Sequence, residues 1–266
     1  MQYIELLGLP GSGKTTLAKD IVKILRAKRR DVFTRWDAKD AVMRKMIRKQ
    51  SGWPWRFISC GAYFAAYPIL HLLWGRYRYL FALRFIGNYP QLVQQVIEAA
   101  VRSAPPESDR EQAHQVVSPE RLLSWFFDVA CVYQAAQEFL ATDDVLLIEE
   151  GLCQQAFYLL CTFRKPDVDD RKLKRYLQLI PKPDVLIAVF VDPQECEERM
   201  QSRSKGIANM LRTLPVAERI AVLEQRQKTY RKIADDFETQ KIEVIRLDKT
   251  NHTANQKQLA EKLIHF

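Results

Sequence analysis

The chain has 266 residues, of which 47% are hydrophobic and 27% charged, a balance that can bury a core and excludes a disordered chain. Five cysteines (60, 131, 153, 161 and 196) with no C-x-x-C pair exclude a disulfide scaffold and a zinc ribbon. The net charge of +9 is regional: residues 19–84 hold 16 Lys/Arg against 4 Asp/Glu, which suits phosphates, nucleic acid or an anionic membrane, or simply a solvated face.

Tyr3 to Leu7 reads as a short apolar strand, followed by Gly8-Leu9-Pro10-Gly11-Ser12-Gly13-Lys14-Thr15-Thr16 and then by helical spacing from Leu17 to Leu25. Asp31 to Asp37 reads as a second strand ending in polar residues. Residues 52–120 are expected to form a helical, aromatic and basic insert on the acceptor side, with a loop at Pro105 to Asp109. A helix is expected over 121–141, then a buried strand Val145 to Ile148 ending in Glu149-Glu150-Gly151. Another strand spans Val185 to Val191 and ends in Asp192-Pro193. A helix over about 195–203, a longer one over about 215–237, a strand over 242–247 and a final helix complete the chain. Continuous apolar strands alternating with amphipathic helices indicate an α/β fold in one domain, with a parallel sheet sandwiched between helices. In such sheets ligands sit at the carboxyl ends of the strands, where the 8–15 loop, Asp37, Glu149, Glu150 and Asp192 would gather.

Gly8, Gly13, Lys14 and Thr15 complete the Walker A pattern G-x-x-x-x-G-K-[ST], with a strand before it and a helix after it. Glycines at these positions let successive N–H groups face phosphate oxygens, and the helix N-terminus adds the positive end of its dipole. The expected ligand is Mg·ATP, cradled by Gly8, Pro10, Gly11, Ser12, Gly13, Lys14, Thr15 and Thr16. Lys14 would bridge the β- and γ-phosphates, and Thr15 would ligate Mg²⁺. Glu149 and Glu150 stand at a strand end, where a carboxylate can organise Mg²⁺ or accept a proton from an attacking hydroxyl. Two adjacent acids on an extended strand point to opposite sides, so one of them is expected to act, Glu149 ahead of Glu150. Arg199 and Arg203 are spaced i, i+4 on one helix face, with Lys205 beyond. They are placed to neutralise a transferring phosphoryl group, but on spacing alone surface pairing with Glu195 or Glu198 is the better reading.

These segments together resemble the P-loop kinases of the thymidylate kinase and deoxynucleoside kinase group, over residues 1–40 and 122–266. The carriers are the Walker A loop, Val32 to Arg35, Val145 to Gly151, Val185 to Arg203 and Leu223 to Tyr230. The resemblance implies a P-loop NTPase fold with a lid over 199–214, in which Arg199 and Arg203 close over ATP. It also implies Glu149 as the acid that activates the acceptor or organises Mg²⁺, and places Asp248 to Asn251 near the adenine. Arg35, Asp37 and Asp128 fall on the acceptor side. The chain departs from the group in carrying Glu150 beside its strand-end acid, Trp36-Asp37 in the acceptor loop, and no arginine after Asp128. An acid is a poor partner for a second phosphate, so a neutral hydroxyl compound is the expected acceptor.

Residues 57–75 carry no charged side chain and are flanked by Arg56 and Arg76. They read as a wall of the acceptor pocket or of a homodimer, as a peripheral membrane contact extending over 57–84, or as a membrane span interrupted by Gly61, Pro68 and His71. His71 itself reads as a satisfied core residue. The expectation is a cytoplasmic, ATP-dependent kinase that transfers the γ-phosphate to a hydroxyl or phosphate of a nucleoside-, nucleotide- or sugar-like small molecule, with membrane association left open. The rivals are a polynucleotide 5′-hydroxyl kinase, with nucleic acid as partner, and a nucleotide-switched interaction protein without catalysis.

Overall fold

A computed structural model describes residues 1–49, 63–102, 118–160, 168–203, 206–208, 211–247, 259 and 261–263. Five strands form one parallel sheet: β1 (Gln2–Gly8), β2 (Val32–Thr34), β3 (Val145–Ile148), β4 (Val185–Val189) and β5 (Glu243–Leu247), in the order β2-β3-β1-β4-β5. Consecutive residues of β1, β3 and β4 are buried from Tyr3 to Gly8, Val145 to Ile148 and Val185 to Val189, so helices cover both faces. Each Leu, Ile or Val removed from water in this way contributes roughly 1.5–3 kcal/mol. The architecture is the α/β parallel sheet expected from the alternation of strands and helices.

Among the described residues the helices are α1 (Lys14–Ala27), α2 (Arg35–Lys49), α3 (Tyr63–Asn88), α4 (Pro90–Arg102), α5 (Pro119–Phe139), α6 (Leu152–Leu160), α7 (Asp170–Leu179), α8 (Pro193–Gln201) and α9 (Val216–Thr239). Three expected boundaries move. The second strand stops at Thr34 and α2 begins at Arg35, because Thr34 and Asp37 form a reciprocal cap. The Thr34 N–H donates to Asp37 Oδ2 at 3.2 Å, and the Asp37 N–H reaches Thr34 Oγ1 at 3.5 Å. The fourth strand stops at Val189, and Asp192 caps α8 by accepting from the N–H groups of Gln194 (2.9 Å) and Glu195 (3.2 Å). The helix carrying Arg199 ends at Gln201, so Arg203 lies beyond it and does not share its face. Helices α6 and α7 and the helical course of 35–49 were not anticipated.

The connection leaving β1 runs towards β2, and the one leaving β4 runs the opposite way to β5. The two diverge at the carboxyl ends of β1 and β4, the crevice where parallel α/β sheets hold ligands. The buried Glu197–Arg219 ion pair at 2.6 Å ties α8 to α9 beside that edge. No helix among the described residues is long and apolar enough to cross a membrane. Residues 57–62, the 105–109 loop, Cys60, Cys161, Lys205, Asp248 to Asn251 and most of the final segment lie outside the described residues.

Candidate functional site

The loop after β1 is built by backbone requirements. Gly11 has φ +94° and Gly13 φ +90°, a left-handed conformation that side chains disfavour, and a Cβ on Gly11 would collide with the carbonyl of Cys196. The Ser12 N–H donates to Leu9 O at 3.2 Å and closes the turn, and α1 starts at Lys14. Ser118, Asp169 and Asp192 cap α5, α7 and α8 through their side chains, but α1 has no side-chain cap. Its first-turn N–H groups therefore face the crevice without an internal side-chain acceptor. Ser12 Oγ is buried and has no hydrogen-bond partner among the described residues. These two features fit an anion seated on the loop.

Lys14 is buried, and its ammonium folds back on the loop, donating to Gly8 O (2.6 Å) and Leu9 O (3.0 Å). Burial lowers its pKa from 10.5 to about 8. Glu150 and Glu149 pull it back up, and Arg226 pushes it further down. Thr15 Oγ1 donates to Glu149 Oε2 at 2.7 Å. β3 ends at Ile148, so Glu149 and Glu150 sit on a bend rather than on extended strand, and they serve different neighbours. Both act on Lys14, but Glu149 also meets Thr15, whereas Glu150 also raises the pKa of Arg35.

Two cavities flank this turn, and Glu150 lines both. One, of about 480 Å³, lies between Pro10, Gln155, Asp128 and the guanidinium groups of Arg35, Arg121 and Arg226. The other, of about 630 Å³, is a basic groove formed by Lys19, Lys23, Arg26 and Arg35 with Trp36 at its wall. Asp128 is ion-paired with Arg35 and with Lys39, the latter at 3.0 Å. Burial lowers the Lys39 pKa to about 8, and Arg35 lowers it further. Asp37 lines the basic groove, and its carboxylate caps α2 through Thr34. Arg199 pairs with Glu195 at 2.6 Å, the ion pair that the spacing also allowed, and Arg203 is exposed. Of the expected lid, Ala208 and Leu211 reach the smaller cavity.

The sequence reading missed three residues. Arg226 is buried, with its guanidinium 4.5 Å from the Phe157 ring centre and 4.9 Å from that of Tyr158, and it acts on Lys14 from α9. Arg121, over Trp125, faces the same cavity. With Arg35 they place positive charge on the wall of this cavity, although no arginine follows Asp128. The third is Glu5, fully buried on β1. Its carboxylate accepts from the Tyr3 hydroxyl (2.6 Å) and the Gln154 N–H (3.1 Å), and it fills the space where a Cβ on Gly151 would sit. Burial lifts its pKa to about 7. Glu5 thus props the turn that carries Glu149 and Glu150.

The two possible roles of Asp37 separate experimentally. As a cap it contributes about 1 kcal/mol, so Asp37→Ala is expected to lower stability by that amount while Asp37→Asn retains it. Denaturant melts measure this, and an unaltered melt for the alanine variant would remove the capping role.

Among the described residues, no group of three or more His, Cys, Asp or Glu could hold a metal ion. A hydrated Mg²⁺ bound largely by phosphates needs only one or two protein oxygens, and the hydrogen-bonded Thr15 and Glu149 fit that need. No protein-family model matches this chain, and no curated protein matches it either.

Proposed function

We propose that this chain is a Mg·ATP-dependent phosphotransferase of the P-loop NTPase fold. The observation that carries the reading is the buried Lys14 at the head of an uncapped helix, flanked by Glu149 on Thr15 and by Glu150 at the mouths of two cavities. The likeness of the motif set to the thymidylate kinase and deoxynucleoside kinase group supports it. The N–H groups of Gly11 to Thr16 bind the phosphates, and Lys14 leaves the Gly8 and Leu9 carbonyls for the β- and γ-oxygens. Thr15 and Glu149 would hold Mg²⁺, which would supply neutralisation of phosphate charge. Glu150 faces the acceptor cavity and takes the hydroxyl proton. Arg226 and Arg121 offset the negative charge that spreads over the transferring group, and Arg199 and Arg203 join them once the 199–214 segment closes.

The test is transfer from γ-labelled ATP to deoxynucleosides, nucleoside monophosphates, sugars, lipid alcohols and a 5′-hydroxyl oligonucleotide. Label on one class is the expected result; binding of ATP without label on any class would leave a nucleotide-switched protein instead. The basic groove with Trp36, exposed at 60%, favours one second reading, a polynucleotide 5′-hydroxyl kinase. That reading requires oligonucleotide binding that weakens steeply with salt.

A further inference from the structure

α3 is apolar on two opposite sides. Its inner side is seated by aromatics: Trp74 stacks on Phe81 at 5.7 Å, and Phe85 meets Phe126 of α5 edge-on at 6.0 Å. Its outer side exposes Leu72 (75%), Tyr79 (62%) and Leu83 (66%), spaced with Arg76 as one helical stripe, and Leu80 beside them. Half of the large hydrophobic residues exposed among the described residues belong to this one helix. A soluble surface does not ordinarily gather them so.

The charge pattern says what covers this face. There is no Asp or Glu between Asp40 and Glu98, against eight Lys/Arg, and α3 carries only Arg76, Arg78 and Arg84. From the packed elements, Glu138 is paired with Arg84, and Asp128 is held by Arg35 and Lys39, so neither cancels Arg76 and Arg78. A second copy of this face would bring like charges together. Three of the four exposed apolar residues are leucines, which offer a nucleic acid nothing to stack on. Leucines and a tyrosine among arginines are what an anionic lipid interface takes up.

An apolar groove of about 450 Å³ opens on the same side, between α3 and α5, walled by Tyr79, Leu83, Ile86 and Phe127. Asp128 lines both this groove and the cavity beside Glu150, so the two share a wall. An apolar groove thus adjoins the candidate acceptor cavity on the side of α3 that carries the exposed leucines.

We propose that α3 docks this protein on an anionic lipid bilayer, and that the phosphoryl acceptor is a membrane amphiphile with a hydroxyl-bearing head and a hydrocarbon tail lying in the α3–α5 groove. The second half rests on the phosphotransferase reading; the first does not. In the transfer, the acceptor hydroxyl oxygen forms the new bond to the γ-phosphorus. The bond from that phosphorus to the β–γ bridging oxygen breaks, its electron pair leaving with ADP, and the hydroxyl proton passes to Glu150.

The experiment has two arms. In the first, the full chain is floated with vesicles of mixed phosphatidylglycerol and phosphatidylcholine and with phosphatidylcholine alone. Wild type and Lys14→Ala are expected to float equally with the anionic vesicles, and Leu72→Glu and Leu83→Glu to bind at least about tenfold more weakly. Both substitutions lie at exposed positions, and a thermal melt confirms that each variant is folded. Absence of flotation, or flotation that the glutamates leave unchanged, overturns docking through α3. In the second arm, γ-labelled ATP is added with vesicles carrying diacylglycerol or a long-chain polyprenol, and label is counted in the organic phase. Organic-phase label supports the amphiphile. Label confined to water-soluble acceptors, or none in either lipid while nucleotide is bound, overturns it. Failure to bind nucleotide at all overturns the phosphotransferase reading and the amphiphile with it, and leaves docking to be decided by flotation.

Discussion

Lys14→Ala is expected to abolish transfer and to weaken Mg·ATP binding while the fold survives. The ammonium is the only cation placed within the loop itself, in contact with the carbonyls of Gly8 and Leu9. A preorganised charge aimed at a transferring phosphoryl group supplies on the order of 3–4 kcal/mol, so turnover should fall by roughly 10²- to 10³-fold. The fold has little reason to fail, since burial already works against this charge and lowers its pKa to about 8. That value sets a pH signature as well. Only the ammonium binds phosphate, so the affinity of the wild type should be level below about pH 8 and decline above it, whereas the alanine variant shows no such decline. Single-turnover transfer and calorimetric titration across pH measure both effects. Unchanged turnover in Lys14→Ala would remove the loop from the reaction.

The second large effect concerns Glu5, which touches none of the residues proposed to meet ATP. Its pKa is raised from 4.5 to about 7 by burial, partly opposed by the Tyr3 hydroxyl and by donors at Cys153 and Gln154. The folded protein thus holds a proton that the unfolded chain releases near pH 4.5. The stabilisation is complete below pH 4.5 and is lost as pH rises through about 7, a swing of about 3 kcal/mol. Glu5→Gln keeps the shape and removes the charge, so its stability should stay flat across that window and exceed that of wild type above it. Lys14 and Lys39, whose pKa values are lowered to about 8, act in the opposite sense at higher pH and do not mask the effect. Melts of wild type and Glu5→Gln between pH 4 and 8 give the answer, and parallel curves would contradict it. Because Glu5 fills the space above Gly151, Glu5→Ala is also expected to slow transfer by loosening the Glu149–Glu150 turn.

The parts legible from sequence are those specified by neighbours in the chain. The 8–15 loop is one, since its glycines, lysine and threonine are set by consecutive backbone conformations. β3 and β4 are others, each a short unbroken apolar run. Thr34 and Asp37 also carried a local signal, the spacing of a reciprocal cap, but the polar residues after Phe33 read equally as a strand end. Asp169 before the amphipathic 170–179 run was a similar signal for α7. Glu5 was illegible because an acid in an apolar strand gives no sign of its partners, and these arrive from residues 153 and 154 on another element. Arg226 was hidden inside a helix whose pattern looked complete without a role for it. The division of labour between Glu149 and Glu150 depends on a bend after Ile148, which residue types do not announce. Arg203 lost its place on the helix face because the helix ends at Gln201, although the i, i+4 spacing is intact.

The most direct measurement is a calorimetric titration of ATP into the full chain, with and without Mg²⁺. The account predicts one saturable site per chain that requires Mg²⁺ for full affinity and is lost in Lys14→Ala. No heat at millimolar nucleotide, or equal binding by wild type and variant, would contradict it.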